Sequence, residues 1–335
     1  MSRLDLPRAL RVAATVGLLA GLVAGTAAVA AQPTIAWESG PRHPVPRDHH
    51  HTFVLDDGDE AHLCVAGGNV YWAILGDVWC AEISADGSLA PWAPEPPLPD
   101  GQAGGGHVVT DQAVFIVSGR GDDMQSTPRT LVGAREGVRI TGWSEGPPLP
   151  DSLFHVSAER VGDWIFAIGG SKGTEAAAVV YRARLRTDGS LSPWEPARSL
   201  PAPRSHHASF AYDGALYVTG GLRGSPVGEN TLLNDVLRAS VSPDGALGPW
   251  ETVSAFDSTR VAHAAFVRDG YAVLVGGVES GTRFSDTVQS ARLSPDGGLG
   301  PWERADPLPF GRGHTHTRRA GAATSTPSAG AQATG

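Results

Sequence analysis

A glycine signature recurs along this chain at nearly constant spacing, and that periodicity constrains the fold more than any other feature. Gly67-Gly68, Ser118-Gly119, Gly169-Gly170, Gly220-Gly221 and Gly276-Gly277 stand 51, 51, 51 and 56 residues apart. Tryptophans answer them at Trp92, Trp143, Trp194, Trp250 and Trp302. All but Trp143 follow a proline and an Asp-Gly turn: Asp86-Gly87, Asp188-Gly189, Asp244-Gly245 and Asp296-Gly297. The second copy departs, with Glu136-Gly137 and Gly142-Trp143. Independent anchors holding one period mark a repeat architecture.

Each copy divides into four strand-sized pieces, A to D. In the fourth copy the predicted strands are His206 to Tyr212, Ala215 to Thr219, Leu233 to Val241 and Leu247 to Val253. Asp-Gly between short apolar runs is a strong hairpin signal, because turns with positive φ favour those residues. The paired glycines closing strand B suit a sharp turn or a close approach of another backbone. After residue 31 no apolar period of 3.6 residues is sustained, so the mature chain reads as all-β. Small sheets repeating at this spacing bury both faces by stacking radially into a propeller. The late tryptophans are then expected to fill the gaps between blades.

The unit resembles the kelch repeat of the galactose oxidase central-domain type. The residues that carry the resemblance are Leu-Pro-x-Pro-Arg-x-x-His from Leu200 to His207, the Gly-Gly pair and the late tryptophan. The ending Asp-Gly-x-Leu-x-Pro-Trp is similar to a bacterial exported variant of that family. The resemblance covers residues 35 to about 318 and implies a fold. It leaves activity open, since such propellers serve many roles. Five full copies lie between about 47 and 304, with a spare strand D at Ile35-Ala36-Trp37-Glu38 and a spare strand A beginning at Arg312-Gly313-His314-Thr315. Five four-stranded blades with extra edge strands are favoured; a sixth blade is possible and would lack strands B and C.

The domain reading is therefore a leader over 1–31, a propeller over 32–318 and a disordered Ala/Gly/Ser/Thr/Pro tail over 319–335. Arg3, Arg8 and Arg11 precede an apolar run from Val12 to Ala27, and small residues follow at Ala28 to Ala31. That layout is a signal peptide for export to the periplasm or the extracellular space. Retention as a membrane anchor is the other reading, though Ala, Gly and Thr dilute the run. Once it is cleaved, no stable span is expected. Export places the two cysteines, Cys64 and Cys80, where disulfides persist. Strands B and C of the first copy would carry them as neighbours, either bonded or as two packed thiols. A net charge of -9 with a single lysine, Lys172, argues against a nucleic-acid surface.

The B–C loops (69–76, 120–128, 171–177, 222–232, 278–286) vary, as do the D–A loops (97–106, 148–154, 200–205, 256–261). Strand order puts both sets on one face, where binding is expected. Polar residues gather at the start of each strand A: Arg47, His49, His50, His51; His107; His155; Arg204, His206, His207; Arg260, His263; Arg312, His314 and His316. They would ring the channel mouth. Three readings compete: structural packing between blades, an anion site for a ligand such as a sugar acid, and a metal site on neutral imidazoles. The spacing is one histidine per blade rather than a ligand-pair spacing, so no metal and no cofactor are expected.

Enzyme readings find less support. The tyrosines and cysteines do not form the Tyr–Cys radical site of galactose oxidase, no Gly-x-Ser-x-Gly elbow is present, and Gly104-Gly105-Gly106 lacks the lysine and helix of a phosphate loop. The expected function is an exported, non-catalytic propeller that binds a protein or a carbohydrate. A sialic-acid-type epimerase or mutarotase is the alternative.

Overall fold

The computed structural model describes residues 35, 37–279, 283–314 and 316–317, and these contain strands, bridges and turns without a helix. The leader and the tail lie outside the described residues. Five antiparallel four-stranded sheets follow one another, each with its strands in chain order. Blade 1 is His51–Asp56, Ala61–Ala66, Val78–Glu82 and Ala93–Glu95. Blade 2 is Gly106–Val109, Ala113–Arg120, Ser126–Glu136 and Arg139–Glu145. Blade 3 is Ser157–Val161, Trp164–Ile168, Val180–Arg184 and Glu195–Pro196. Blade 4 is Ala208–Tyr212, Ala215–Thr219, Asp235–Ser240 and Glu251–Ala255, and blade 5 is Ala264–Arg268, Tyr271–Val275, Val288–Arg292 and Glu303–Ala305. In blade 4, strand B has its predicted bounds, strands A and C are shorter than predicted, and strand D starts after Trp250 rather than at Leu247. The stretch from Val241 to Leu247 is consumed by the turn and an isolated bridge.

Alternation along each strand B sends successive side chains to opposite neighbours. Val114 and Ile116 pack with Phe53, Leu55 and Cys64 of blade 1. Phe115 and Val117, between them in sequence, pack with Ile165 and Ala167 of blade 3. Blades 3 and 4 meet through Phe166, Ile168, Leu216 and Val218, and blades 4 and 5 through Phe210, Tyr217, Ala272 and Leu274. At about 25 cal/mol per Å² of apolar area removed from water, these interblade layers dominate the stability.

The indoles form a closed circuit. Each donates its ring N–H to the stretch four residues past the preceding tryptophan, or to a side chain there. Trp143 reaches the Pro96 carbonyl, Trp194 that of Pro147, Trp250 that of Arg198, and Trp302 the Ser254 hydroxyl. Trp92 reaches the Pro41 carbonyl, and Trp37 reaches that of Asp306. The front segment thus stands between blade 5 and blade 1 as the outermost piece of a sixth angular position, with Ile35 and Trp37 packed on Tyr271, Val273 and Val275. The innermost piece of that position is His316–Thr317, which pairs in parallel with His51–Asp56. Of the five late tryptophans only Trp194 is fully buried, at 7% exposure.

Two turn chemistries alternate. The A–B turns of blades 4 and 5 put both residues in the left-handed region, Asp213 with Gly214 and Asp269 with Gly270, as a two-residue turn demands. In the C–D turns only the glycine is left-handed (Gly87, Gly189, Gly245, Gly297), and the aspartate caps a following amide, as Asp86 Oδ1 does for Ser88. Cys64 and Cys80 face each other on adjacent strands of blade 1 and are joined in a disulfide.

Candidate functional site

At the inner end of each blade the chain passes beside the axis through one residue with positive φ. These residues are His49, Gly104, His155, His206, Ala262 and His314, with φ between 50° and 63°. Backbone hydrogen bonds run from one to the next: Gly104 N–H to the His49 carbonyl, His155 to Gly104, Ala262 to His206 and His314 to Ala262. Six angular positions therefore surround the axis, although only five carry complete sheets.

The four histidines in this ring converge. Ring centroids lie 5.0 Å apart for His49 and His155, 4.4 Å for His49 and His314, and 3.4 Å for His155 and His206. Two positions carry small residues, Gly104 and Ala262. At Gly104 the space is taken by Phe154, whose ring would lie 2.1 Å from an added Cβ. His49 Nδ1 is 2.8 Å from Asp48 Oδ1. Burial raises the Asp48 pKa, but the hydrogen bond to His49 and the nearby histidines outweigh it and leave the carboxyl below its usual range. Burial pushes the His314 pKa down to about 3 and that of His206 well below 6.5, so both imidazoles are neutral at pH 7.

The remaining residues of the sequence-predicted ring do other things. Arg47 and Arg204 are buried, each making a two-pronged pair with a carboxylate on strand C or just before it. Arg47 holds Asp77 at 2.6 and 2.8 Å, and Arg204 holds Asp235 at 2.8 Å through both oxygens. Each also donates to the carbonyl of the first glycine of its own blade, Gly67 or Gly220, and Arg260 does so to Gly276. In blade 2, Gln102 and Ser118 reproduce the contact. His207 and His263 pack against the Gly-Gly pair of the preceding blade, and they bond Ser157 and Thr219 at 2.9 and 2.8 Å. His50, His51 and His107 are buried in or beside strand A, with the pKa of His50 and His51 pushed down to about 3 by burial.

The glycine pairs explain themselves in the same geometry. The second glycine donates to the next blade's arginine-position carbonyl, as Gly221 does to Arg260. The first tolerates no Cβ, since at Gly220 one would sit 2.7 Å from that same oxygen.

Known proteins can be set beside this geometry. No family model matches the chain. Over 179 residues, half of the chain, it is 29% identical to beta-scruin of Limulus polyphemus. Over 143 residues, 42% of it, it is 29% identical to kelch-like protein 33 of Homo sapiens. The chain spans 18% and 25% of the length of these curated relatives. The solved structure of YjhT superposes with a TM-score of 0.60 over 80% of this chain and 99% of that one, at 12% identity, a likeness of fold.

The chain is a kelch-type propeller.

Sequence reasoning missed two features of the kelch-type face. Arg120, stacked on Phe154 with its guanidinium carbon 4.1 Å from the ring centre, borders His206. Arg312, which the sequence did single out, stacks likewise on Phe310 at 4.2 Å. Neither makes an ion pair among the described residues. The second missed feature is the tip of the blade 1 B–C hairpin (Asn69–Val70 with Ala73–Ile74), where Tyr71 and Trp72 are 89% and 86% exposed. Val227, 83% exposed, tops the corresponding hairpin of blade 4 (Leu222–Gly224 with Asn230–Leu232). The loop composition held the signal: two adjacent aromatics in a turn have no core to enter.

Proposed function

We propose that this kelch-type propeller is an exported binding protein that engages a protein or a glycan through the face bearing the axial histidines and the B–C hairpins. The observation that carries the reading is the Tyr71–Trp72 pair. Two large aromatic side chains stand in solvent on a hairpin whose base is bridged to the axis, Asn69 with Asp48. Exposed aromatic side chains of this kind offer stacking and apolar area at a low cost in side-chain entropy. Arg120 and Arg312 add cationic donors suited to acidic groups. The disulfide fits an oxidising compartment and so supports export. Against catalysis, the Ser157–His207 hydroxyl–imidazole pair lies buried between blades 3 and 4, out of reach of substrate.

The test is a screen of immobilised glycans, sugar acids and candidate peptides with the parent and a Tyr71→Ala/Trp72→Ala variant. Binding should fall at least tenfold in the variant while its thermal transition stays unchanged. Unaltered binding would move the site elsewhere. Sugar-acid binders are then followed by NMR, and catalysed anomer exchange would replace the binding role with the mutarotase alternative.

A further inference from the structure

We propose that His49, His155 and His314 form a divalent-metal site on the propeller axis, of the kind that takes zinc. One ring nitrogen from each of the three lies within 4.8 Å of the others. Three imidazoles with a fourth position open is the donor set of reactive zinc sites, and it also suits copper and nickel. Bonds of about 2.0–2.1 Å would draw the nitrogens to about 3.3 Å from one another, a closure within reach of imidazole rotation on a fixed backbone. His155 is buried while His49 and His314 are part-exposed, so the site is lined yet reachable from the face.

Two further observations point the same way. The Asp48 carboxylate on His49 Nδ1 fixes the tautomer that leaves Nε2 for a metal, the arrangement found behind most metal-binding histidines. Next is the backbone. A left-handed conformation is strained for a residue that carries a side chain. Glycine occupies the position without strain at Gly104, yet the chain places histidine at four of the six. Ala262 takes the same conformation without an imidazole, so the turn itself does not call for histidine, and the four histidines there add side-chain chemistry to it.

The same observation supplies the variants. His49→Gly and His314→Gly remove the imidazole and relax the backbone toward the state already present at Gly104, so both should fold. Untagged full-length protein is stripped with a chelator and titrated with Zn²⁺ by calorimetry, then with Co²⁺ by visible absorption. The expected result is one ion per chain, with Co²⁺ bands of four- or five-coordinate intensity. Affinity should fall about 100-fold or more in either glycine variant and about 10–100-fold in Asp48→Asn. His62→Ala, away from the axis, should leave it unchanged. Parent protein that binds no tighter than His49→Gly/His314→Gly, or affinity indifferent to these substitutions, would overturn the site.

Discussion

The residue that best shows how this structure uses histidine is His263. It is buried against Gly220, its Nε2 is 2.8 Å from the Thr219 hydroxyl, and burial with the nearby Arg260 and His207 charges holds its pKa well below 6.5. The folded state therefore keeps the ring neutral where the unfolded chain would protonate it. The stability this gives is fully present above about pH 6.5 and is lost as pH falls below that value, at up to about 1.4 kcal/mol per pH unit until the depressed folded pKa is reached. Urea midpoints between pH 7.5 and 4.5 should decline below pH 6.5, and less steeply in His263→Gln; equal slopes would show the ring to be solvated. Sequence spacing located the histidines of the inner end and its arginines other than Arg120. It could not separate the four that meet at the axis from those wedged between blades. Neighbours such as His206 and His207 differ by one residue of register and by the sign of φ, and neither is written in side-chain type.

At the scale of the element, the repeat made the blades legible because each anchor has a local cause. Gly220 answers a carbonyl, Asp244-Gly245 closes a turn, and Trp250 donates to the preceding blade. Strand ends were less legible, since the five-residue C–D turns absorb apolar residues such as Val241 and Leu247 that read as strand. The tryptophans, similar in sequence, differ in burial. Trp194 is buried and shares its N–H between the Thr130 hydroxyl and the Pro147 carbonyl, whereas Trp92 is part-exposed and abuts His43. Trp194→Ala should cost about 3–5 kcal/mol and Trp92→Ala distinctly less. Chemical denaturation of both variants checks the order, and equal losses would mean that the indoles act through the outer hydrogen-bond circuit rather than through burial.

At the scale of the whole molecule, five sheets occupy a ring of six positions, and the sixth is spanned by the two ends of the described chain. Trp37 lies in no strand, yet it completes the indole circuit and covers blade 5. Trp37→Ala should therefore lower hydrogen-exchange protection first in Tyr271–Val275, beneath the lost ring, with blades 2 and 3 little changed. An even loss across all blades would show that closure is not local. The six-position ring also settles how the hairpins are disposed. Blades 1 and 4 are three steps apart, so the arms ending at Tyr71–Trp72 and at Val227 rise on opposite sides of the axial opening. Any body broad enough to grip both arms must bridge that opening and roof over the imidazoles between them, so tenancy of the rim and access to the centre are governed by one event.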